Sequence, residues 1–193
     1  CIRHTASFPF LVVRCGRNPC RAHGLSGPEI RPAIVPEAAG WWEWRRRVRP
    51  VALAVAQVNL PLLRELALTR YGPDTARVVD DWQSQIEAMK SMPDNDKLAR
   101  ANNFFNSRIR WVQDPEAWGQ DDYWATPLEL IGRGMGDCED FAIAKYLTLI
   151  LAGVDIDKLR ITYVKARIMG SGDVKSTAHM VLAYYPSATE EPV

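Results

Sequence analysis

The 193-residue sequence predicts an α+β fold in which helices come first and strands last. Two patterns carry that prediction. Apolar residues recur at spacings of three and four from Ala76 to Phe105, and a further helix is signalled after Asp137. Near the end, Leu159 to Ile168 and Thr177 to Tyr185 read as two strands joined by the turn-rich Gly170-Ser171-Gly172-Asp173. Helices do not alternate with strands, which argues against a parallel βαβ sheet.

Residues 1–50 hold six of the thirteen prolines and three of the four cysteines, and no helical or strand period persists in them. They read as an irregular basic segment, disordered or not native to the domain. The chain starts at Cys1 and has no methionine before Met89, so an over-long or fragmentary beginning is expected. Arg45, Arg46, Arg47 and Arg49 precede the apolar run Val51 to Ala56, in the order of a basic n-region, an h-region and an Ala-x-Ala cleavage site. Residues 51–70 therefore read either as a remnant export signal or as an amphipathic lead-in helix.

From there a cap at Asp74 and the series Ala76, Val79, Trp82, Ile86 and Met89 predict a helix ending near Pro93. A second helix is expected from about Asn95, with Leu98, Ala101, Phe104 and Phe105 inward, followed by a short extended piece at Ile109 to Val112. The loop Gln113 to Tyr123 is rich in Asp and Trp. Thr126-Pro127 starts a short helix that stops at the Gly132 to Gly136 cluster, and Asp137 caps a longer one from Cys138 to about Ala152, closed by Gly153.

With 47% hydrophobic and 24% charged residues, the composition suits one globular domain with a real core and excludes a collagen-like or wholly disordered chain. No stretch approaches the roughly 18 apolar residues of a membrane span. Residues 1–50 carry nine Arg and three Glu, whereas the rest carry fifteen Lys and Arg against twenty Asp and Glu, so the acidic part is the expected folded domain. The net charge of +1 points to no nucleic-acid partner, and Trp41, Trp42 and Trp44 beside Arg45 to Arg47 read as incidental. Cys1, His4, Cys15, Cys20 and His23 have zinc-ligand chemistry, but their spacings fit no standard site.

Beyond residue 50 there is one cysteine, Cys138, and one histidine, His179. An isolated thiol is ordinarily a small core residue and an isolated imidazole a hydrogen-bonded bystander. Position argues otherwise. Cys138 follows the flexible run Gly132 to Gly136 and opens a helix, where backbone N–H groups favour a thiolate and can hold an oxyanion. His179 lies on a strand, and an imidazole facing a helix N-terminus is the geometry of a thiol protease or transglutaminase. The carboxylates of Asp137, Glu139 and Asp140 would raise the thiol's pKa unless a cation offset them, and hard oxygens suit Ca²⁺ better than zinc. Helix capping by Asp137 with dipole complementation by Glu139 and Asp140 is the alternative.

Four motifs then carry a resemblance: Asp122-Tyr123-Trp124-Ala125-Thr126-Pro127, Gly136-Asp137-Cys138-Glu139-Asp140-Phe141-Ala142-Ile143-Ala144-Lys145-Tyr146, Leu159-Arg160-Ile161-Thr162-Tyr163-Val164-Lys165-Ala166 and Ala178-His179-Met180-Val181-Leu182. In this order they resemble the bacterial transglutaminase-like cysteine proteinases of the LapG type, over residues 71–193. The resemblance implies a papain-like fold, a Cys-His-Asp triad and a calcium-dependent periplasmic endopeptidase. Such enzymes cut a large surface adhesin near its N-terminus and so control biofilm detachment, restrained by an inner-membrane receptor that senses cyclic di-GMP. By position Cys138 matches the nucleophile, His179 the base, and Asp137 and Glu139 the calcium ligands, with Asp140 a weaker addition. Only Glu190 and Glu191 follow His179 among acidic residues, so the triad aspartate is expected on a further strand past Val193. The rivals are a transglutaminase-type acyl transferase, which uses the same residues, and a catalytically silent module that binds the adhesin or receptor. Tyr123 and Trp124 read equally as walls of a substrate cleft or as core.

Overall fold

Asn59 opens the first helix, α1 (Leu60–Tyr71), by accepting the Leu62 N–H at 3.0 Å. This computed structural model describes residues 30–31, 59–169, 174–187 and 192, with side chains for 59–164, 178–187 and 192. The cysteines and histidines of the basic segment, its tryptophan-arginine cluster, the apolar run from Val51 and the Gly170 to Asp173 turn lie outside the described residues. Gly72, at φ 93°, breaks α1 and leads directly into α2 (Pro73–Met89). Asp74 is not the cap: Pro73, with its fixed φ and missing N–H, starts the helix one residue earlier, which leaves Asp74 in the first turn paired with Arg77 at 2.5 Å.

The periodic faces bury as their spacing requires. Ala76, Val79, Trp82, Ile86 and Met89 of α2 are buried, as are Leu98, Ala101, Phe104 and Phe105 of α3 (Asp94–Arg108). The extended piece that follows is β2 (Arg110–Trp111), and the Asp-rich loop contains one helical turn, α4 (Asp114–Ala117), opened by Asp114-Pro115. Thr126 and Glu129 close a capping box on α5 (Pro127–Arg133), which ends at Gly134 with φ 68°. The glycine cluster spans the end of α5 and a short strand. Gly132 is helical and faces Tyr71, whose ring would lie 2.6 Å from a Cβ there, and Met135–Gly136 form β3, parallel to β2.

Helix α6 (Cys138–Leu151) follows at once, and a 3-10 turn (Ile156–Lys158) leads to β4 (Leu159–Met169) and β5 (Val174–Tyr184). These strands pair antiparallel along their whole length, Leu159 opposite Tyr184 and Val164 opposite His179. The second strand starts three residues before the sequence pattern does, because the backbone ladder continues to Val174 opposite Met169 whatever the side chains. The short β1 (Ile30–Arg31) pairs on the other edge of β4, giving the order β1-β4-β5. The α+β prediction is met: helices precede an antiparallel sheet.

One core joins α2, α3, α5, α6 and a single face of the sheet, with Phe105, Ile86, Met89, Leu130, Leu149 and Leu159 fully buried. Burying each such side chain contributes about 1.5–3 kcal/mol. Polar ties set the packing register: the Trp82 indole donates to Thr148 Oγ1 at 2.9 Å across α2 and α6. Asp94 accepts Lys158 Nζ at 2.9 Å and the Tyr184 hydroxyl at 2.8 Å, tying α3 to the sheet. No described helix is long and apolar enough to cross a membrane.

Candidate active site

The approach to Cys138 is shaped by Gly136. A Cβ at that position would overlap the Asp140 carboxylate and lie 2.7 Å from Leu130 Cδ1, so only glycine lets β3 run this close to the first turn of α6. Asp137 is the N-cap in extended backbone, and Asp140 reaches back to its N–H at 3.4 Å. Asp140 is fully buried and does more: its oxygens accept the Ala125 N–H at 2.7 Å and the Trp118 indole N–H at 3.0 Å. It therefore bolts the loop before α5 to the helix that carries the thiol. Burial pushes its carboxyl above the usual range, and the bonds from Ala125 and Trp118 pull the other way.

Cys138 donates its thiol to Glu139 Oε2 at 2.9 Å. Burial first, and then that bond and the charges of Glu139 and Asp137, push the thiol up to about 12. The Met180 backbone N–H beside the sulfur opposes the shift. Met180 follows His179, so the N-terminus of α6 meets β5 at the imidazole's own stretch of strand. Along that strand Met180, Leu182 and Tyr184 are buried, while His179, Val181 and Ala183 on the opposite face are half-buried. Burial lowers the His179 pKa, Glu139 opposing and Lys145 adding to the effect, which favours the neutral imidazole. Lys145, buried in α6, donates to Asn102 Oδ1 at 2.9 Å and Asn106 Oδ1 at 2.8 Å, and burial brings it down to about 8.

Around the thiol lies a nest of carboxylates. Asp114 is buried and accepts the Tyr123 N–H through Oδ2 at 2.6 Å, but its Oδ1 is buried with no donor. Asp137 Oδ1 is orphaned in the same way. Burial, with Glu139, Asp114 and Asp140 nearby, drives Asp137 up to about 8. Glu139 is held below its ordinary value: burial opposes, but the hydrogen bonds with Cys138 and Asp137 outweigh it. Ligand atoms of Asp137, Cys138 and Glu139 fall within 4.8 Å of one another, as do those of Asp114, Asp137 and Asp140 and those of Asp114, Asp122 and Glu139. Two buried carboxylate oxygens that no donor fills, among further carboxylates, fit the hard-oxygen ligands that a divalent cation such as Ca²⁺ takes.

The sequence reading named Asp137, Glu139 and Asp140 and missed Asp114 and Asp122. The missed pair lies in the Asp-rich loop, so its composition was the available signal. Asp140 accepts three N–H groups and still falls in the Asp114, Asp137 and Asp140 group, whereas Asp114 and Asp137 carry the oxygens that no N–H or O–H fills. Tyr123 and Trp124 also separate. Tyr123 donates to Glu129 at 2.9 Å and its ring packs 4.7 Å from that of Trp118, whereas Trp124 is 52% exposed with its indole on Asp122 at 3.1 Å.

Residues 71–184 match the family model described as bacterial transglutaminase-like cysteine proteinase BTLCP. Among solved structures the chain is similar to Legionella pneumophila LapG, with 39% identity, a TM-score of 0.57 and 70% of each chain covered. Its EGTA-treated form matches at 39% identity and TM-score 0.56, over 70% of this chain and 68% of that one. The calcium-bound form matches at 38% and 0.56, over 70% of each. Comparison with curated proteins finds no match.

Proposed function

Because the chain belongs to the bacterial transglutaminase-like cysteine proteinases and is a cysteine peptidase, we propose that Cys138 is its nucleophile and His179 its acid and base. The observation that carries this assignment is Cys138 at the start of α6, its sulfur between the Glu139 carboxylate and the backbone that follows His179. Neutral His179 takes the thiol proton as sulfur attacks a substrate carbonyl. N–H groups at the helix N-terminus receive the oxyanion, and the imidazolium returns the proton to the leaving amine. Water, deprotonated by His179, then releases the acyl group and restores the thiol.

The same proposal includes calcium. Asp114, Asp137 and Glu139, with Asp122 at the rim, would hold the ion, and its charge would offset the carboxylates that add to burial in raising the thiol pKa. A protein substrate follows from peptidase chemistry. The likeness to LapG and the four motifs support the finer reading: a periplasmic endopeptidase that cleaves the N-terminal region of a large surface adhesin to control biofilm detachment, held in check by an inner-membrane cyclic di-GMP receptor.

The test is to incubate the protein with the N-terminal region of a large adhesin from the same genome, in calcium or in EGTA. One band becomes two in calcium, and the Cys138→Ala and His179→Ala proteins leave it whole. Turnover by Cys138→Ala overturns the thiol mechanism, and equal cleavage in EGTA overturns the calcium requirement.

A further inference from the structure

Exposed large apolar side chains are unevenly placed on this molecule. Ile161 is 37% and Tyr163 58% exposed, on the sheet face whose β5 residues lie under α6. Their direct partners are Leu182 and Met180, and cross-strand partners share a face, yet both partners are buried. The contrast arises because, among the described residues, α6 packs mainly on β5 and leaves this part of β4 uncovered. Tyr163 stands one strand, about 4.8 Å, from Met180, whose N–H adjoins the Cys138 sulfur. Trp124 brings a second exposed ring to the same place: its indole N–H is spent on Asp122, and Asp122 clusters with Glu139. With its polar atom satisfied, the ring offers apolar surface.

We propose that Ile161, Tyr163 and Trp124 form an apolar shelf continuous with the nucleophile, which selects an extended substrate segment carrying aliphatic or aromatic side chains at two alternate positions on one side of the scissile bond. The inference deepens the peptidase reading above and rests on it. The geometry specifies an extended chain because residues two apart on a strand repeat every 6.6 Å or so, the same repeat as alternate side chains of an extended peptide. Both edges of β4 are occupied, by β1 and β5, so the segment lies across the sheet face rather than adding a strand. Each apolar contact in such a subsite discriminates by roughly tenfold or more.

The experiment gives the calcium-supplemented protein a mixed library of peptides cut from a bacterial proteome and reads the new ends by mass spectrometry. Apolar residues should be enriched at two positions separated by one residue. Tyr163→Thr and Ile161→Thr place a β-branched side chain suited to the strand at each position, and each should weaken the enrichment. Each should also lower kcat/KM about tenfold on a peptide bearing both apolar residues. Trp124→Gln, in a loop, supplies an arm that does not depend on strand folding and should weaken the same preference. Cleavage with an unchanged profile in all three variants overturns the shelf alone. No cleavage of any library peptide by the unsubstituted protein overturns the peptidase reading and the shelf with it.

Discussion

Replacing Asp140 by alanine should destabilise the protein by about 3 kcal/mol, although the carboxylate is surrounded by others of the same charge. The figure comes from what is left behind. The Ala125 N–H, in a fully buried residue, loses a 2.7 Å bond, and an unpaired buried donor costs about 1–3 kcal/mol. The Trp118 indole loses a 3.0 Å bond but is half-buried, so water recovers part of about 1 kcal/mol there. The Asp137 N–H, at 3.4 Å, adds little. Relief of the burial penalty that pushes the Asp140 carboxyl up offsets some of the loss. For a chain of this size about 3 kcal/mol corresponds to a fall in Tm of roughly 6–12 °C. Urea unfolding of wild type, Asp140→Ala and Asp140→Asn measures it. The asparagine retains an acceptor for Ala125 but turns its own N–H groups on Trp118, so it should fall between the other two. An alanine variant within about 0.5 kcal/mol of wild type would refute the claim that Asp140 secures the loop to the catalytic helix.

Thr148→Val should cost about 1–3 kcal/mol in the same assay, because it strands the buried Trp82 indole N–H, while Thr148→Ser should stay near wild type. Asp94→Asn should flatten the acid limb of the stability curve. Burial opposes ionisation of Asp94, but the Lys158 and Tyr184 hydrogen bonds outweigh it and hold its pKa below the ordinary aspartate value. Its stabilisation is thus complete above the unfolded-state value and lost as pH falls through the lower folded one; parallel acid limbs for the two proteins between pH 5 and 2 would contradict this. Alkylation of Cys138 by iodoacetamide should be slow at pH 8 in EGTA, since the thiol stands at about 12, and calcium should move the rise in rate to lower pH. Glu139→Gln should quicken labelling in EGTA by removing a charge that holds the proton on sulfur, and identical profiles in calcium and EGTA would exclude an ion beside the thiol.

Within a turn or two of chain, the sequence was a sufficient guide. The α2 and α3 faces, the start of α5 at Thr126-Pro127 and the start of α6 at Cys138 depend on contacts between residues three or four apart, so their spacing alone specifies them. The same holds for alternation along β5, which puts Met180 and Leu182 on the face opposite His179. Roles that depend on partners far along the chain were decided only by folding. Asp140 and Asp137 are both carboxylates at the head of α6, and nothing local distinguishes one that holds three N–H groups from one with an orphaned oxygen. The difference is made by Ala125 and Trp118, brought in by the loop before α5. That loop also delivers Asp114 and Asp122 to the site, and turns Tyr123 inward and Trp124 outward. A period in sequence states which face a side chain occupies, but which lone pairs are filled and which surface stays uncovered depends on the groups packed against that face, and these are set by tertiary structure.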